Sequence, residues 1–139
     1  MFKEDCIFCR IANGEIPSAK VYEDDEVLAF LDLAPANRGH VLIVPKRHYT
    51  NALDFPCEAA PAICQAVKKV GGALVEALNA RGFNVFQNNG PAAGQTVFHI
   101  HWHVIPRFEN DGLAMWAQGS YPSQEEMNAL AEKIAGAVK

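Results

Sequence analysis

The sequence predicts an α+β fold: a five-stranded, mainly antiparallel sheet with one long helix and a C-terminal helix. Three observations lead there. Strand-like apolar runs alternate with turn residues, and the first two form a hairpin pattern. Helical periodicity is confined to two blocks, one central and one C-terminal. The chain has 139 residues, 50% hydrophobic and 20% charged, which suits a single globular domain over 1–139. A domain of that size buries roughly two-thirds of its unfolded surface.

Element by element, Ile7 to Asn13 reads as a short helical turn ending near Gly14. Lys20–Tyr22 and Val27–Leu31 flank Glu23-Asp24-Asp25-Glu26, a hairpin with an acidic turn. The stretch 33–39 contains Pro35, Asn37 and Gly39 and reads as a loop. His40 to Val44 is a third strand, stopped by Pro45. Positions 63, 67, 70, 74 and 78 are apolar at helical spacing and predict a helix from about Glu58 to Asn79. Gly71 and Gly72 inside it should weaken it by roughly 1 kcal/mol each. Phe83 to Phe86 is a fourth strand, Asn88 to Gln95 a loop tolerant of unusual backbone angles, and Val97 to Ile105 a fifth strand. Ser123 and Glu126 form a capping-box pattern for a last helix that buries Met127, Leu130, Ala131, Ile134 and Val138. Cys57 and Cys64 are about 10 Å apart along a helix, beyond disulfide reach, and are expected as packed thiols.

Composition excludes some partners. Twelve Lys and Arg against 16 Asp and Glu leave a formal net charge of −4. A mildly acidic chain lacks the footprint for gripping nucleic acid, although a local site can still hold a small phosphorylated ligand. The longest stretch without Lys, Arg, Asp or Glu, Gly82 to Pro106, is rich in Asn, Gln, Gly and His and fails as a bilayer helix, so no membrane partner is expected. The run MFKEDCIFCR lacks the apolar core of a signal peptide, which points to the cytoplasm.

The chemistry concentrates at His99, His101 and His103, interleaved with Phe98, Ile100, Trp102 and Val104. On a strand this puts imidazoles on one face and apolar side chains on the other. Packing explains the apolar face but not three imidazoles, each with a donor and an acceptor to satisfy. Two chemistries compete: a catalytic metal on three histidines, and an imidazole nucleophile with a second His for proton transfer. The preceding loop favours the second. Asn88, Gly90, Gly94, Gln95 and Thr96 offer backbone N–H groups and short polar side chains suited to phosphate oxygens, with no carboxylate to complete a metal site. Separately, Cys6 and Cys9 form a Cys-x-x-Cys, a spacing that suggests metal or redox chemistry; it lacks the strand-then-helix setting of a thioredoxin-type motif, which ranks redox below metal, and a pair of simply packed cysteines stays open.

FHIHWHVIP resembles the signature of the histidine triad (HIT) superfamily, His-φ-His-φ-His-φ-φ with φ apolar. NNGPAAGQTVFHIHWHVIPR and CIFCRIANGEIPSAKVYEDDEVLAFLDLAPANRGHVLIVPKRH are similar to members throughout, so the resemblance covers most of Cys6 to Arg107 and leaves 108–139 as a tail and helix. It implies a HIT-like fold, a homodimer, and hydrolysis or transfer at the α-phosphate of nucleoside 5′-phosphoramidates or dinucleoside polyphosphates. By that resemblance His101 is the nucleophile that forms a nucleotidyl-imidazole intermediate, and release of a nucleoside monophosphate follows. His103 contacts the phosphate and the leaving group, and His40 supports the triad from behind. Asn88, Gly94 and Thr96 hold phosphate oxygens with help from Gln95, and Asp32 binds the ribose hydroxyls. Phe8, Ile11, Ile16, Phe30 and Leu33 form the apolar cleft for the base of a purine, AMP-like ligand.

Some members also bind a structural Zn²⁺ through residues matching Cys6, Cys9, His48 and His99; the two-step path through His101 itself requires no catalytic metal, and none is expected. The N-terminal half resembles nucleoside phosphoramidases, the Gln95-Thr96-Val97 approach resembles dinucleotide polyphosphate hydrolases as well, and the tail after Arg107, with Trp116, departs from the phosphoramidase tail. Two other readings stay open: a nucleotide-binding scaffold with incidental activity, and a zinc hydrolase using all three histidines as ligands.

Overall fold

The computed structural model describes residues 2–139, so Met1 of the N-terminal run lies outside it. Five strands form one antiparallel sheet in the order β1-β2-β3-β5-β4: β1 Lys20–Glu23, β2 Val27–Leu31, β3 Val41–Pro45, β4 Gly82–Gln87 and β5 Trp102–Arg107. Helix α1 spans Ile7–Ala12, α2 spans Ala60–Leu78 and α3 spans Gln124–Ala137. Among the described residues no helix is long and apolar enough to cross a membrane.

Two interior strands, β2 and β3, explain the layering. Their runs VLAF and VLIV are continuous and apolar, so both of their faces are buried. Val27, Ala29, Val41 and Ile43 face α2, whose Ile63, Ala66, Val70 and Leu74 complete one core. Leu28, Phe30, Leu42 and Val44 face the other way and are covered by Phe8 and Ile11 of α1. Cross-strand neighbours share a face, and Leu42 pairs with His103. His103 therefore stands on the α1 side. That side carries the candidate site, while α2 backs the sheet from behind.

Three expectations need correction. First, β5 begins at Trp102, not Val97. In the β3 register the partner of residue 100 would be Pro45, which has no N–H to give, and β4 ends opposite Trp102. Residues 97–101 instead form an irregular approach, with the Ile100 N–H donating to the Tyr49 carbonyl at 2.7 Å. Second, the α3 face of Met127, Leu130, Ala131, Ile134 and Val138 is exposed throughout. Ser123 Oγ does accept the Glu126 N–H at 3.1 Å, so the cap sets the helix start, but periodicity says which face seeks cover and not whether the same chain supplies it. Third, Cys57 and Cys64 are exposed. The inward stripe of α2 runs through 63, 66, 70 and 74, which turns Cys64 outward, and Cys57 lies in the 3₁₀ turn before the helix.

Gly71 also changes meaning: a Cβ there would run into the Phe83 ring, so this glycine lets α2 approach β4 closely. Gly72 faces open space and has no such role.

Candidate functional site

The site lies where α1, the end of β2, the start of β3 and the 88–103 segment converge. Phe8, Ile11 and Phe30 are buried in the floor of a cleft of about 290 Å³ that also reaches Asp32, His101 and His103. Ile16 and Thr96 line it too, and Leu33 stands at its mouth, fully exposed at 102%. The edge of Phe8 meets Phe30 at 5.7 Å and His101 at 5.1 Å between centroids, which fixes the His101 ring from one side.

Hydrogen bonds to the backbone determine where each imidazole carries its proton. A carbonyl oxygen only accepts, so a ring nitrogen that faces one is an N–H. His101 Nδ1 lies 2.8 Å from the His99 carbonyl and donates to it, which leaves a lone pair on His101 Nε2. His99 Nε2 donates to the Pro45 carbonyl at 2.8 Å, leaving its lone pair on Nδ1. His40 Nδ1 accepts the Ala36 N–H at 3.0 Å, so its proton sits on Nε2, 2.9 Å from His103 Nδ1. His103 thus accepts at Nδ1 and bears its own proton on Nε2. The neighbouring His101 and His103 rings, 5.0 Å apart, hold opposite tools: a lone pair and a proton.

Burial keeps these rings neutral. It is the largest influence on each, lowering His103 and His99 to about 4 and lowering His101 and His40 too, while the Asp32 carboxylate pulls His40, His101 and His103 only partly back. Phe86 of β4 stacks on His103 at 4.5 Å and 16°, so that ring is braced by His40 on one edge and Phe86 on one face.

The 88–96 loop depends on glycine at two points, Gly90 and Gly94, both with positive φ near 90°. Asn88 lies against Gly94, where an added Cβ would come within 3.4 Å of its Nδ2. Gln95 is committed elsewhere. Its Oε1 accepts the Gly90 N–H at 2.8 Å, and its Nε2 donates to the Thr50 and Val97 carbonyls at 2.8 and 3.1 Å. It staples the loop and has no amide proton to spare for a phosphate. Asp32 Oδ1 accepts the Ala34 N–H at 2.9 Å, and its Oδ2 lies 3.7 Å from His40 Nε2.

A second cluster sits beside the first. Cys6, Cys9, His48 and His99 place one donor atom each within 4.8 Å of one another. Cys9 Sγ is 3.4 Å from His48 Nδ1 and 3.5 Å from His99 Nδ1, and Cys6 Sγ is 3.5 Å from His99 Nδ1. A tetrahedral zinc with bonds of about 2.3 Å to sulfur and about 2.0 Å to nitrogen has S···N edges of roughly 3.5 Å. The donor types, their spacing and the lone pair on His99 Nδ1 fit that ion. His99 has both nitrogens engaged away from His101 and His103, so the three triad rings do not converge on one point.

A family model for the HIT domain matches residues 13–110. The chain belongs to the HIT family. An adenosine 5′-monophosphoramidase from Schizosaccharomyces pombe is 43% identical over 137 residues, covering 96% of this chain and 98% of that protein. A crystal structure of SMU.412c from Streptococcus mutans UA159 superposes with a TM-score of 0.92 at 42% identity, covering 99% of this chain and 87% of that one. A Zn-bound histidine triad family protein from Mycobacterium smegmatis superposes with a TM-score of 0.76 at 38% identity, covering 95% of this chain and 97% of that one. The five-stranded antiparallel sheet with its helices is the fold these HIT structures share.

Reasoning from residues alone missed several parts of this HIT site. The Phe86 stack has no local signal, because only the β4–β5 register puts residue 86 opposite 103. The carbonyls of Pro45 and His99 and the N–H of Ala36 carry no side-chain information at all. Asp111, one residue beyond the HIT match, sits in the tail.

Proposed function

We propose that this HIT protein is a nucleotide hydrolase that cleaves at the α-phosphate of nucleoside 5′-phosphoramidates or dinucleoside polyphosphates and releases a nucleoside monophosphate. One observation carries the reading: His101 and His103 hold opposite tautomers side by side on one cleft. His101 Nε2 attacks phosphorus. Its Nδ1–H, already donating to the His99 carbonyl, stabilises the positive charge that the ring acquires. His103 Nε2–H gives its proton to the departing nitrogen or oxygen as the bond from phosphorus breaks. Water then attacks the nucleotidyl-His101 bond, returns a proton to His103 and frees the monophosphate. The apolar floor of Phe8, Ile11, Ile16 and Phe30, with Leu33 at the mouth, receives the base of a purine, AMP-like ligand. Asp32 accepts from the ribose hydroxyls, and Asn88, Gly94 and Thr96 hold phosphate oxygens. The named activity of the S. pombe relative supports the phosphoramidate class.

Cys6, Cys9, His48 and His99 would hold a Zn²⁺, which supplies structural cross-linking of α1 to the catalytic segment. Four protein ligands close the tetrahedron and leave no open position for catalysis. The commitment of both His99 nitrogens argues against a triad-borne catalytic metal. The reading also takes the whole of 1–139 as one HIT domain, acting in the cytoplasm as a homodimer without nucleic-acid or membrane partners. The exposed Phe83 and Val85 on edge strand β4 support pairing with a second copy.

The test is to incubate wild type and His101→Ala with adenosine 5′-phosphoramidate and with diadenosine polyphosphate, following monophosphate release and acid-labile nucleotidyl-protein. Wild type should turn over at least one, and the variant should form no adduct and lose activity. A variant as fast as wild type refutes the nucleophile. Nucleotide binding without turnover by wild type would favour the scaffold reading.

A further inference from the structure

Asn37 and Asp111 lie outside the ligand cleft, yet they tie together the two supports of His103. The Asn37 carbonyl accepts the His40 N–H at 3.0 Å, and its Nδ2 donates to the Pro106 carbonyl at 3.0 Å and to Asp111 Oδ2 at 2.9 Å. The turn that presents the Ala36 N–H to His40 is thereby fastened to β5, the strand that carries His103.

Asp111 is the hub of this fastening. Its side chain is only 8% exposed and it accepts from five donors. Besides Asn37 these are the Arg107 guanidinium, through Nε at 2.8 Å and Nη2 at 3.0 Å, and the N–H groups of Phe108 and Leu113, both at 3.1 Å. Arg107 continues to Asn84 Oδ1 on β4 at 2.7 Å and to the Leu113 carbonyl at 2.9 Å. The tail is thus held beside β4, where Trp116 meets the edge of Phe86, the ring stacked on His103. A charged bidentate fork of this kind fixes direction as well as distance.

We propose that Asn37 and Asp111 form a positioning clamp that holds the His40–His103 pair in the tautomer and orientation needed to protonate the leaving group, a role that rests on the hydrolase reading above. Neither residue touches the cleft, so the clamp acts on the chemical step and not on nucleotide affinity.

The test compares wild type, Asp111→Asn, Asn37→Ala and the double variant. Three readouts are taken: kcat on adenosine 5′-phosphoramidate, AMP affinity by calorimetry, and the histidine ring nitrogens by ¹⁵N NMR. A misplacement of catalytic groups by a fraction of an ångström to 1 Å costs up to about 100-fold. Each single variant should lower kcat about 10- to 100-fold, leave the AMP Kd within about twofold, and show His103 losing its single Nε2–H tautomer. The double variant should be little worse than the worse single, because both break one link. If a folded variant keeps wild-type kcat, or if kcat and AMP affinity fall together with the tautomer intact, the clamp is refuted. Should Asp111→Asn fail to fold, Asn37→Ala alone decides, since it leaves the Arg107 pair in place. An inactive wild type would refute the hydrolase reading, and the nitrogen spectrum would then decide the clamp.

Discussion

His40 offers a way to separate two duties of one buried ring. Its Nδ1 accepts from Ala36 and its Nε2 donates to His103, and the residue is 5% exposed. His40→Ala removes both bonds. At about 1 kcal/mol net each, stability should fall by about 2 kcal/mol before any cavity cost. The loss of the donor also frees His103 to carry its proton on Nδ1, away from the leaving group. A bias of about 1.4 kcal/mol is tenfold in an equilibrium, so the proton-transfer step should slow roughly tenfold. Two isosteric variants divide the effect. In His40→Gln the amide nitrogen can replace Nε2 as donor to His103, and in His40→Asn the amide oxygen can replace Nδ1 as acceptor for Ala36. We expect His40→Gln to keep more activity and His40→Asn to keep more stability, read by kcat on adenosine 5′-phosphoramidate and by urea midpoint. The reverse ranking, or an alanine variant with wild-type kcat, would refute the relay from Ala36 to His103.

The same burial predicts a pH dependence of stability. His103 is lowered to about 4 and His40 is lowered as well, mainly by burial, so the unfolded chain takes up these protons first, near pH 6.5. Stability is therefore full above about pH 6.5 and falls as pH drops below it, at up to about 1.4 kcal/mol per pH unit for each ring, with the His103 contribution lost progressively down to about pH 4. Urea midpoints at pH 7, 6 and 5 check this, and equal midpoints would contradict it. Wild type purified without chelator should carry about one zinc per chain, and Cys9→Ser should lose it together with several degrees of melting temperature. An equally stable, zinc-free wild type would remove the metal from the account. Gly72→Ala should stabilise α2 by about 0.5–1 kcal/mol, since its Cβ meets nothing within 4 Å. Its neighbour Gly71→Ala should show no such gain, because its Cβ meets Phe83.

How much of the site was readable along the chain depended on how local each signal was. The interleaved histidines and Cys6-x-x-Cys9 stand out because chemistry-bearing residues cluster within a few positions. The resemblance extends that to Asp32, His40 and His48. Gln95 shows the limit: an amide beside a phosphate-type loop suggests a ligand contact, and the folded loop uses both of its amide protons internally. The strand drawn through Val97–Ile105 failed for a related reason. Alternation reports which residues could face one side, whereas pairing requires a partner with an N–H, and Pro45 has none.

By itself the sequence determined most of the periodic elements, though not where the fifth strand begins or what covers the last helix, since strand and helix spacing follow from backbone geometry and from which side chains avoid water. It also determined that three imidazoles would stand close together. Only the tertiary structure decided what each imidazole does. A neutral ring places its proton according to the group it faces, and here those groups are the backbone of residues 36, 45 and 99 and the ring of His40, brought into range by folding. Backbone carbonyls and amides are the same in every residue, so no amino-acid letter could announce them.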